Sequence, residues 1–444
     1  MNATANIDQF KFDDTFPSEI PTRIVSVGAP KLFDVPQRFK VSSRADRDVV
    51  AVLNYLFLKA AESQYSDIHF ESDRRGVVVR MRQFGDLVET VALVADCDND
   101  INRILRARAS VPENDDIAPK DGTFFFRAET RVVDVRLSFL TTRAGRSIVC
   151  RILDQSNASR PFSSIPMHEQ QRAAFNAALF ANEGLILCVG PTGSGKTSTL
   201  YSCLNERNVP SIKMLTIEDP VEYSLPGVQQ VNVQEPLRSF AKAVRSALRQ
   251  DIDVALIGEI RDRDTAHAAT DISNTGHLIL STLHANDAVS AITRLTDSFS
   301  VDNFALASAV RLVVGQRLLR KLCPSCKINR RLYEHELAAL TARGYARPLI
   351  SQDEPAGSAL VNEVNRAGCD ACGQRGYAGV RPILELLCGD RAVRQAIEQG
   401  GLPELRQAAA TQLTYRSLNH AAIDAAFDDS DVDISEALAC AAAV

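Results

Sequence analysis

No stretch of this 444-residue chain approaches the roughly 18 consecutive apolar residues that a membrane-spanning helix needs, so no transmembrane segment is expected. Met1–Asp14 has neither a basic start nor an apolar run, which predicts no signal peptide and makes a cytosolic home the default expectation. A basic excess is also missing. Fifty Lys and Arg face 55 Asp and Glu, a formal net charge of −5, which argues against a dedicated nucleic-acid binder while leaving room for a local basic face. Internal repeats and low-complexity tracts are absent; Ala408–Ala410 and Ala441–Ala443 are too short to count. The ten cysteines do not form the disulfide framework of a small secreted domain. Four of them, Cys323, Cys326, Cys369 and Cys372, make two CxxC pairs, and the other six read as buried, inert thiols.

What remains is a chain of ordinary apolar content, long enough for about three domains. Residues 1–45 carry Pro17, Pro21, Pro30 and Pro36 and read as an irregular lead-in. Over 46–153, apolar positions at helical spacing (Val50, Leu53, Leu56, Ala60) precede three alternating runs, Gly76–Arg82, Arg131–Leu137 and Ser147–Leu153. A small α/β sandwich is expected there. Residues 154–166 read as a linker. From 167 to 310 the rhythm changes: expected strands at Leu185–Val189, Lys213–Ile217, Val254–Ile257 and Leu278–Ser281 alternate with helices such as His168–Phe180, Ser239–Arg249 and Arg263–Ser273. That alternation predicts a RecA-like core around a mostly parallel, doubly wound sheet. A helical segment holding the four cysteines is expected over 311–388, and a helical region over 389–444.

Gly190, Pro191, Thr192, Gly193, Ser194, Gly195, Lys196 and Thr197, followed by Ser198, fit G-x-x-x-x-G-K-[ST] between an expected strand and an expected helix. Both contextual conditions for a P-loop are therefore met. The glycines let successive N–H groups turn inward toward phosphate oxygens. The helix contributes its positive end. Lys196 is expected to reach the β- and γ-phosphates of ATP, and the Thr197 hydroxyl to ligate Mg²⁺.

Three further clusters follow. Val254–Ile257 ends in Gly258-Glu259, a carboxylate at a strand tip, suited to polarising an attacking water or holding Mg²⁺ through water. Thr216-Ile-Glu218-Asp219-Pro-Val-Glu222-Tyr223 ends another strand, where acids face the ligand crevice of a doubly wound sheet. In Thr275-Gly-His277-Leu-Ile-Leu-Ser-Thr282-Leu-His284, His284 follows a strand and suits a γ-phosphate sensor. His277 reads equally well as a core or interface histidine.

In their order along the chain, Gly190–Thr197, Thr216–Tyr223, Val254–Glu259 and Thr275–His284, these four clusters resemble those of the type II secretion and type IV pilus assembly ATPases, in which they are called Walker A, aspartate box, Walker B and histidine box. The resemblance covers about residues 45–430. It implies that Lys196 and Thr197 bind phosphate and Mg²⁺, that Glu259 is the catalytic Walker B glutamate, that Glu218 is the aspartate-box carboxylate, and that His284 is the histidine-box residue. Asp219, Glu222 and His277 are then supporting positions. It further implies a homohexamer peripheral at the cytoplasmic face of the inner membrane. Such a ring acts through a polytopic inner-membrane platform protein, handles pilin or pseudopilin indirectly, and needs no direct nucleic-acid contact. The earlier domain, with Ser66–Glu71 and Val79-Arg80-Met81-Arg82, resembles the family's second N-terminal domain. Arg80 and Arg82, then Arg136 and Arg151, become candidates to reach a neighbouring subunit's nucleotide; alternating arginines also suit an exposed strand face. Most relatives carry an acid-glycine pair where this chain has Phe84-Gly85-Asp86, and the chain is expected to lack most of the family's further amino-terminal domain. A pilus-retraction motor, a nucleic-acid translocase and a nucleotide-gated binding protein are the alternatives. Secretion, type IV pilus and conjugative pilus systems all remain open, with the short amino terminus favouring a pilus.

Cys323-Pro-Ser-Cys326 and Cys369-Asp-Ala-Cys372 offer the four thiolates of a structural, tetrahedral Zn²⁺ site, with a helical excursion (Tyr333–Arg343) between them. The resemblance agrees, because such a segment marks the assembly and secretion branch and argues against a retraction motor.

Overall fold

The computed structural model describes residues 45–442 except 75, 94–96, 113–117, 129–130, 234–238, 248 and 346–359. The irregular lead-in expected at the start therefore lies almost wholly outside the described residues. The chain divides into two compact units, Met1–Asn157 and Ala158–Val444.

The first unit runs α1 (Ala45–Glu62), β1 (Asp67–Asp73), β2 (Gly76–Gln83), β3 (Asp86–Leu93), α2 (Cys97–Arg108), β4 (Lys120–Ala128), β5 (Arg131–Thr142) and β6 (Gly145–Asp154). Its six strands form one sheet in the order β3-β2-β1-β6-β5-β4. One face packs beneath the helices: Leu53, Leu56 and Phe57 of α1 and Leu105 of α2 share a core with Ile68, Phe70, Met81 and Val135. Because strand side chains alternate, Asp67, His69 and Glu71 take the other face. The register sets Asp67 opposite both Arg82 and Arg151, and Arg151 opposite Arg136. The β2–β3 turn uses Phe84 (φ 49°) and Gly85 (φ 92°), two left-handed residues in a row, which suits the right-handed twist of a two-residue hairpin.

The second unit runs α3 (Glu169–Leu179), β7 (Gly184–Val189), α4 (Lys196–Arg207), β8 (Met214–Glu218), β9 (Gln229–Asn232), α5 (Phe240–Ala247), β10 (Val254–Ile257), α6 (Arg263–Ser273), β11 (Leu278–Leu283), α7 (Ala288–Thr293), α8 (Asn303–Ala309), β12 (Val310–Leu322), β13 (Ile328–Arg331), α9 (Glu334–Ala342), β14 (Leu360–Glu363), β15 (Tyr377–Cys388), α10 (Arg391–Gln399), α11 (Leu402–Thr411), α12 (Leu418–Phe427) and α13 (Ile434–Ala442). Seven strands form the main sheet in the order β15-β12-β7-β11-β10-β8-β9. All neighbours are parallel except β12 and β15. The strand β7 is buried at every position. Leu185, Leu187 and Val189 serve one core, while Ile186 and Cys188 serve the other, as expected for a sheet covered on both faces.

The helical reading of 311–388 needs correction. Val310–Leu322 is a 13-residue strand, and Tyr377–Cys388 is a 12-residue strand paired antiparallel with it. The run VRLVVGQRLLRKL is apolar at spacings that satisfy a buried strand and a buried helix alike. The tertiary pairing with β7 decides for the strand. Beyond these two strands, the small β13–β14 pair and α9 build a module against α12 and α13. Among the described residues, no helix is long and apolar enough to cross a membrane.

Candidate active site and metal centre

Because β7, β8, β10 and β11 run parallel, their carboxyl ends lie along one edge of the sheet. The sequence clusters ending in Gly190, Glu218, Glu259 and His284 therefore converge. The phosphate loop leaves β7 through Gly190 (φ 155°) and enters α4 through Gly195 (φ 84°). A Cβ at Gly190 would sit 2.5 Å from the Gln316 carbonyl, and one at Gly195 would sit 2.8 Å from Gln316 Nε2. Both positions thus exclude side chains twice over, by conformation and by space. Lys196 is buried, and its Nζ donates to the carbonyls of Gly190 and Pro191, each at 2.9 Å. Burial lowers its pKa, and the Cys188 thiol and Glu259 carboxylate pull the other way. Glu259 is thus an electrostatic neighbour of the loop lysine. Thr197 and Ser198 sit half-buried in the first turn of α4.

Both oxygens of Glu259 are held. Oε1 lies 3.1 Å from Nε2 of His284, and Oε2 accepts from Nε of Arg261 at 2.8 Å. Arg261 also reaches Asp219 at 3.4 Å. The tips of β10 and β11 are tied together: Thr282 Oγ1 donates to the Gly258 carbonyl, and Ile260 N to the Thr282 carbonyl. Arg294 Nη1 donates to the His284 carbonyl at 2.6 Å. Beside the loop opens a cleft of about 480 Å³ bordered by Gly190, Pro191, His284, Asn286, Ser290 and Arg294.

Glu218 is almost fully buried. Its Oε2 accepts from the Tyr201 hydroxyl at 2.6 Å, and Thr216 and Gln230 stand beside the carboxylate, while Oε1 is buried with no bond of normal hydrogen-bond geometry. An orphaned carboxylate oxygen inside a protein is costly. Burial holds its pKa above the ordinary carboxylate range. A divalent cation or an ordered water suits that acceptor, and Thr197 lies one turn of α4 before Tyr201, the residue that bonds Glu218, so the donor set fits Mg²⁺.

His277 does not join this group. It precedes β11 at the opposite end from His284, about 20 Å along the strand, with its Nδ1 3.2 Å from Thr275 Oγ1. A parallel strand separates the residues at its two ends by its full length. In the first unit, Arg80 pairs with Glu71 at 2.5 Å, Arg151 with Asp67 at 3.2 Å, and Arg82 donates to the Gly85 carbonyl at 2.7 Å. With Arg136 these four arginines occupy the sheet face away from the helices. Three contributors went unnoticed in the sequence: Tyr201, Arg261 and Gln316. Only Arg261 carried a local signal, standing two residues after Glu259.

The four cysteines meet as expected. Their sulfurs all lie within 4.8 Å of one another. Cys323–Cys369, Cys326–Cys372 and Cys369–Cys372 are 3.8–3.9 Å apart, close to the ~3.8 Å edge of a tetrahedron with Zn–S bonds of about 2.3 Å. Burial raises the pKa of the Cys372 thiol, but backbone N–H groups of Cys369, Gly376 and Arg375 outweigh it and bring it down to about 6. Burial and the neighbouring thiols push Cys326 up to about 12, so before a cation binds it is Cys372 that is drawn toward the thiolate. The residues fit Zn²⁺.

A profile of the family described as "Type II/IV secretion system protein" matches residues 43–436. The chain is 37% identical over 357 residues to type II secretion system protein E of Aeromonas hydrophila, covering 79% of this chain and 68% of that one. It is 38% identical over 367 residues to the type IV pilus assembly ATPase PilB of Pseudomonas aeruginosa, covering 82% and 62%. In fold it is similar to the ATPase DotB of Legionella pneumophila (TM-score 0.64, 19% identity, 94% of this chain and 100% of that one) and to the pilus retraction motor PilT with bound ADP (TM-score 0.60, 23% identity, 87% and 95%). Matched over nearly all of its described residues, the chain belongs to the type II/IV secretion system protein family.

Proposed function

We propose that the chain hydrolyses ATP at the Gly190–Ser198 loop and spends that energy on mechanical work for pilus assembly or protein secretion. ATP hydrolysis is the activity of the family to which it belongs. One observation carries the residue assignment: Glu259, the electrostatic neighbour of Lys196, is clamped between His284 and Arg261.

In the described state Lys196 spends its protons on its own loop's carbonyls. When nucleotide enters, phosphate oxygens replace those carbonyls, and the α4 terminus adds its positive end. Thr197 and the free oxygen of Glu218 would hold Mg²⁺, which supplies charge neutralisation for the transferred phosphoryl. Glu259 takes up the proton of the attacking water. The His284 imidazole and the Arg261 guanidinium fix the carboxylate's direction, and His284, half-exposed toward the cleft, can report on the γ-phosphate. Four thiolates would hold Zn²⁺ as a structural centre, with no open position and no step in hydrolysis.

Family members act as hexameric ATPases with membrane platform proteins. By that likeness, this chain forms a homohexamer at the cytoplasmic face of the inner membrane. Arginines from the exposed face of the first unit's sheet, Arg80, Arg82, Arg136 and Arg151, would complete a neighbour's site. Pilin or pseudopilin would be moved indirectly through the platform. The test is phosphate release by the purified oligomer with Mg²⁺. Lys196→Ala is expected to abolish binding and turnover. Glu259→Gln is expected to keep ATP binding and lose about 10²- to 10⁴-fold in rate. Wild-type hydrolysis by either variant refutes the assignment.

A further inference from the structure

Gln316, in the middle of β12, is 1% exposed and faces the back of the phosphate loop. Its side-chain amide is engaged on three sides. Nε2 donates to the Ser194 carbonyl at 2.8 Å. Oε1 accepts from the Thr199 hydroxyl at 2.8 Å and from the Cys188 thiol at 3.4 Å. One amide therefore ties the strand before the loop, the loop itself and the helix after it. The backbone of the same residue closes the gap: its carbonyl is the atom that a Cβ at Gly190 would strike, and it accepts from Arg317 Nη1 at 3.0 Å. Arg317 in turn donates to the Asn286 carbonyl beside the histidine cluster.

The peptide plane gives this contact a direction. In a trans peptide the carbonyl of one residue and the N–H of the next point opposite ways. Pinning the Ser194 carbonyl back onto Gln316 therefore turns the Gly195 N–H away from β12, toward the side where phosphate would lie. The Ser194 carbonyl can only accept, so it fixes Nε2 as the end of the amide that faces the loop, and the Thr199 hydroxyl anchors the other end by donating to Oε1. The contact spans 122 residues of sequence, and no loop motif encodes it.

We propose that Gln316 is a positioning residue for nucleotide: it holds the phosphate loop in its anion-binding conformation from behind without touching the ligand. This rests on the assignment of Gly190–Ser198 as the phosphate loop. An interaction that shapes the loop before binding acts alike on ground and transition states, so its loss raises KM and leaves kcat nearly unchanged. A merely structural role would lower thermal stability and the folded fraction while leaving KM untouched.

The experiment uses the full chain as an assembled oligomer, with ADP and MgATP as probes. Gln316→Met keeps the shape and removes every amide hydrogen bond. It is expected to raise the Kd for ADP and the KM for ATP about 10-fold, the scale of one or two lost hydrogen bonds, with kcat within about 2-fold. Thr199→Val keeps the donor to the loop but removes the anchor on Oε1, loosening the amide, and is expected to raise KM about 3-fold. Wild-type ADP affinity in Gln316→Met overturns the proposal. If that variant does not fold, an unchanged KM in Thr199→Val overturns it alone. Lys196→Ala measured alongside separates the two levels. Nucleotide binding that survives Lys196→Ala defeats the loop assignment itself, whereas binding lost there but intact in Gln316→Met defeats only the role of Gln316.

Discussion

Replacing Glu385 with Gln should flatten the pH dependence of stability in the second unit. Glu385 sits on β15 opposite Gly315, where a Cβ would come within 2.7 Å of its Oε2. That oxygen accepts from the Ala288 N–H at the start of α7 at 2.8 Å, and Oε1 accepts from the Tyr415 hydroxyl at 2.6 Å. The carboxyl is 1% exposed. Burial is the dominant influence and pushes its pKa from 4.5 up to about 7, against the pull of its two donors and of Arg317, with Asp287 adding to the rise. The native state therefore holds this proton more tightly than the unfolded chain does. The stabilising contribution is complete below about pH 4.5 and is lost as pH rises through about 7. At about 1.4 kcal/mol per tenfold change in proton affinity, the span amounts to about 3 kcal/mol. Thermal melts of the wild type and of Glu385→Gln at pH 5 and pH 8 test this. The Gln variant, which cannot ionise, should lose less stability between those two conditions, with the gap in Tm shift roughly 5 °C. If both proteins show the same shift, Glu385 does not titrate in this window and the argument from its burial fails.

Tyr201→Phe removes the hydroxyl that donates to Glu218 while leaving the ring packed against Tyr223. The Glu218 pKa should climb further, moving the acid limb of the ATPase pH profile upward; an unmoved limb would show that Glu218 need not be ionised. The cysteine centre should carry about one zinc per chain by metal analysis, and Cys372→Ser should lose that metal and lower the melting temperature. A protein that binds no zinc after reduction, or one whose melting is indifferent to it, would contradict the tetrahedral reading.

The parts of the site that were legible in the sequence are those whose chemistry is written within one short string. The loop from Gly190 to Ser198 announces its own geometry, and Glu218, Glu259 and His284 each sit where a buried strand stops, a position that apolar runs make visible. The cysteines were legible because two close pairs at the right spacing carry their meaning even 43 residues apart. The parts that escaped depend on partners distant in sequence. Tyr201 matters only because β8 brings Glu218 beneath α4. Gln316 matters only because β12 lies beside β7. Val310–Leu322 reads as helix because a strand buried along most of its length shows no alternation, and its identity is settled by a neighbour that the local pattern does not contain. In the first unit, β1 and β3 escaped because DIHFESD and DLVETVAL mix charge into their runs; in β1, Asp67 and Glu71 belong to the sheet face that carries the arginines.

The antiparallel pair β12–β15 is one continuous beam that carries nucleotide chemistry at its middle and metal chemistry at one end. Gln316 leans on the phosphate loop near its middle; Leu322 finishes it one residue before the first metal thiol, and Tyr377 reopens it shortly after the last. Seven residues, about 23 Å of extended chain, separate the amide behind the nucleotide from Cys323. The thiol cluster would thus join the ends of the two strands through a metal, beside the Asp431 and Glu436 contacts that hold them from α13 and the segment before it. A loosened metal centre would act first on the Leu322 end of the ladder, and only through the six pairs from Leu322 to Arg317 on the back wall of the nucleotide site.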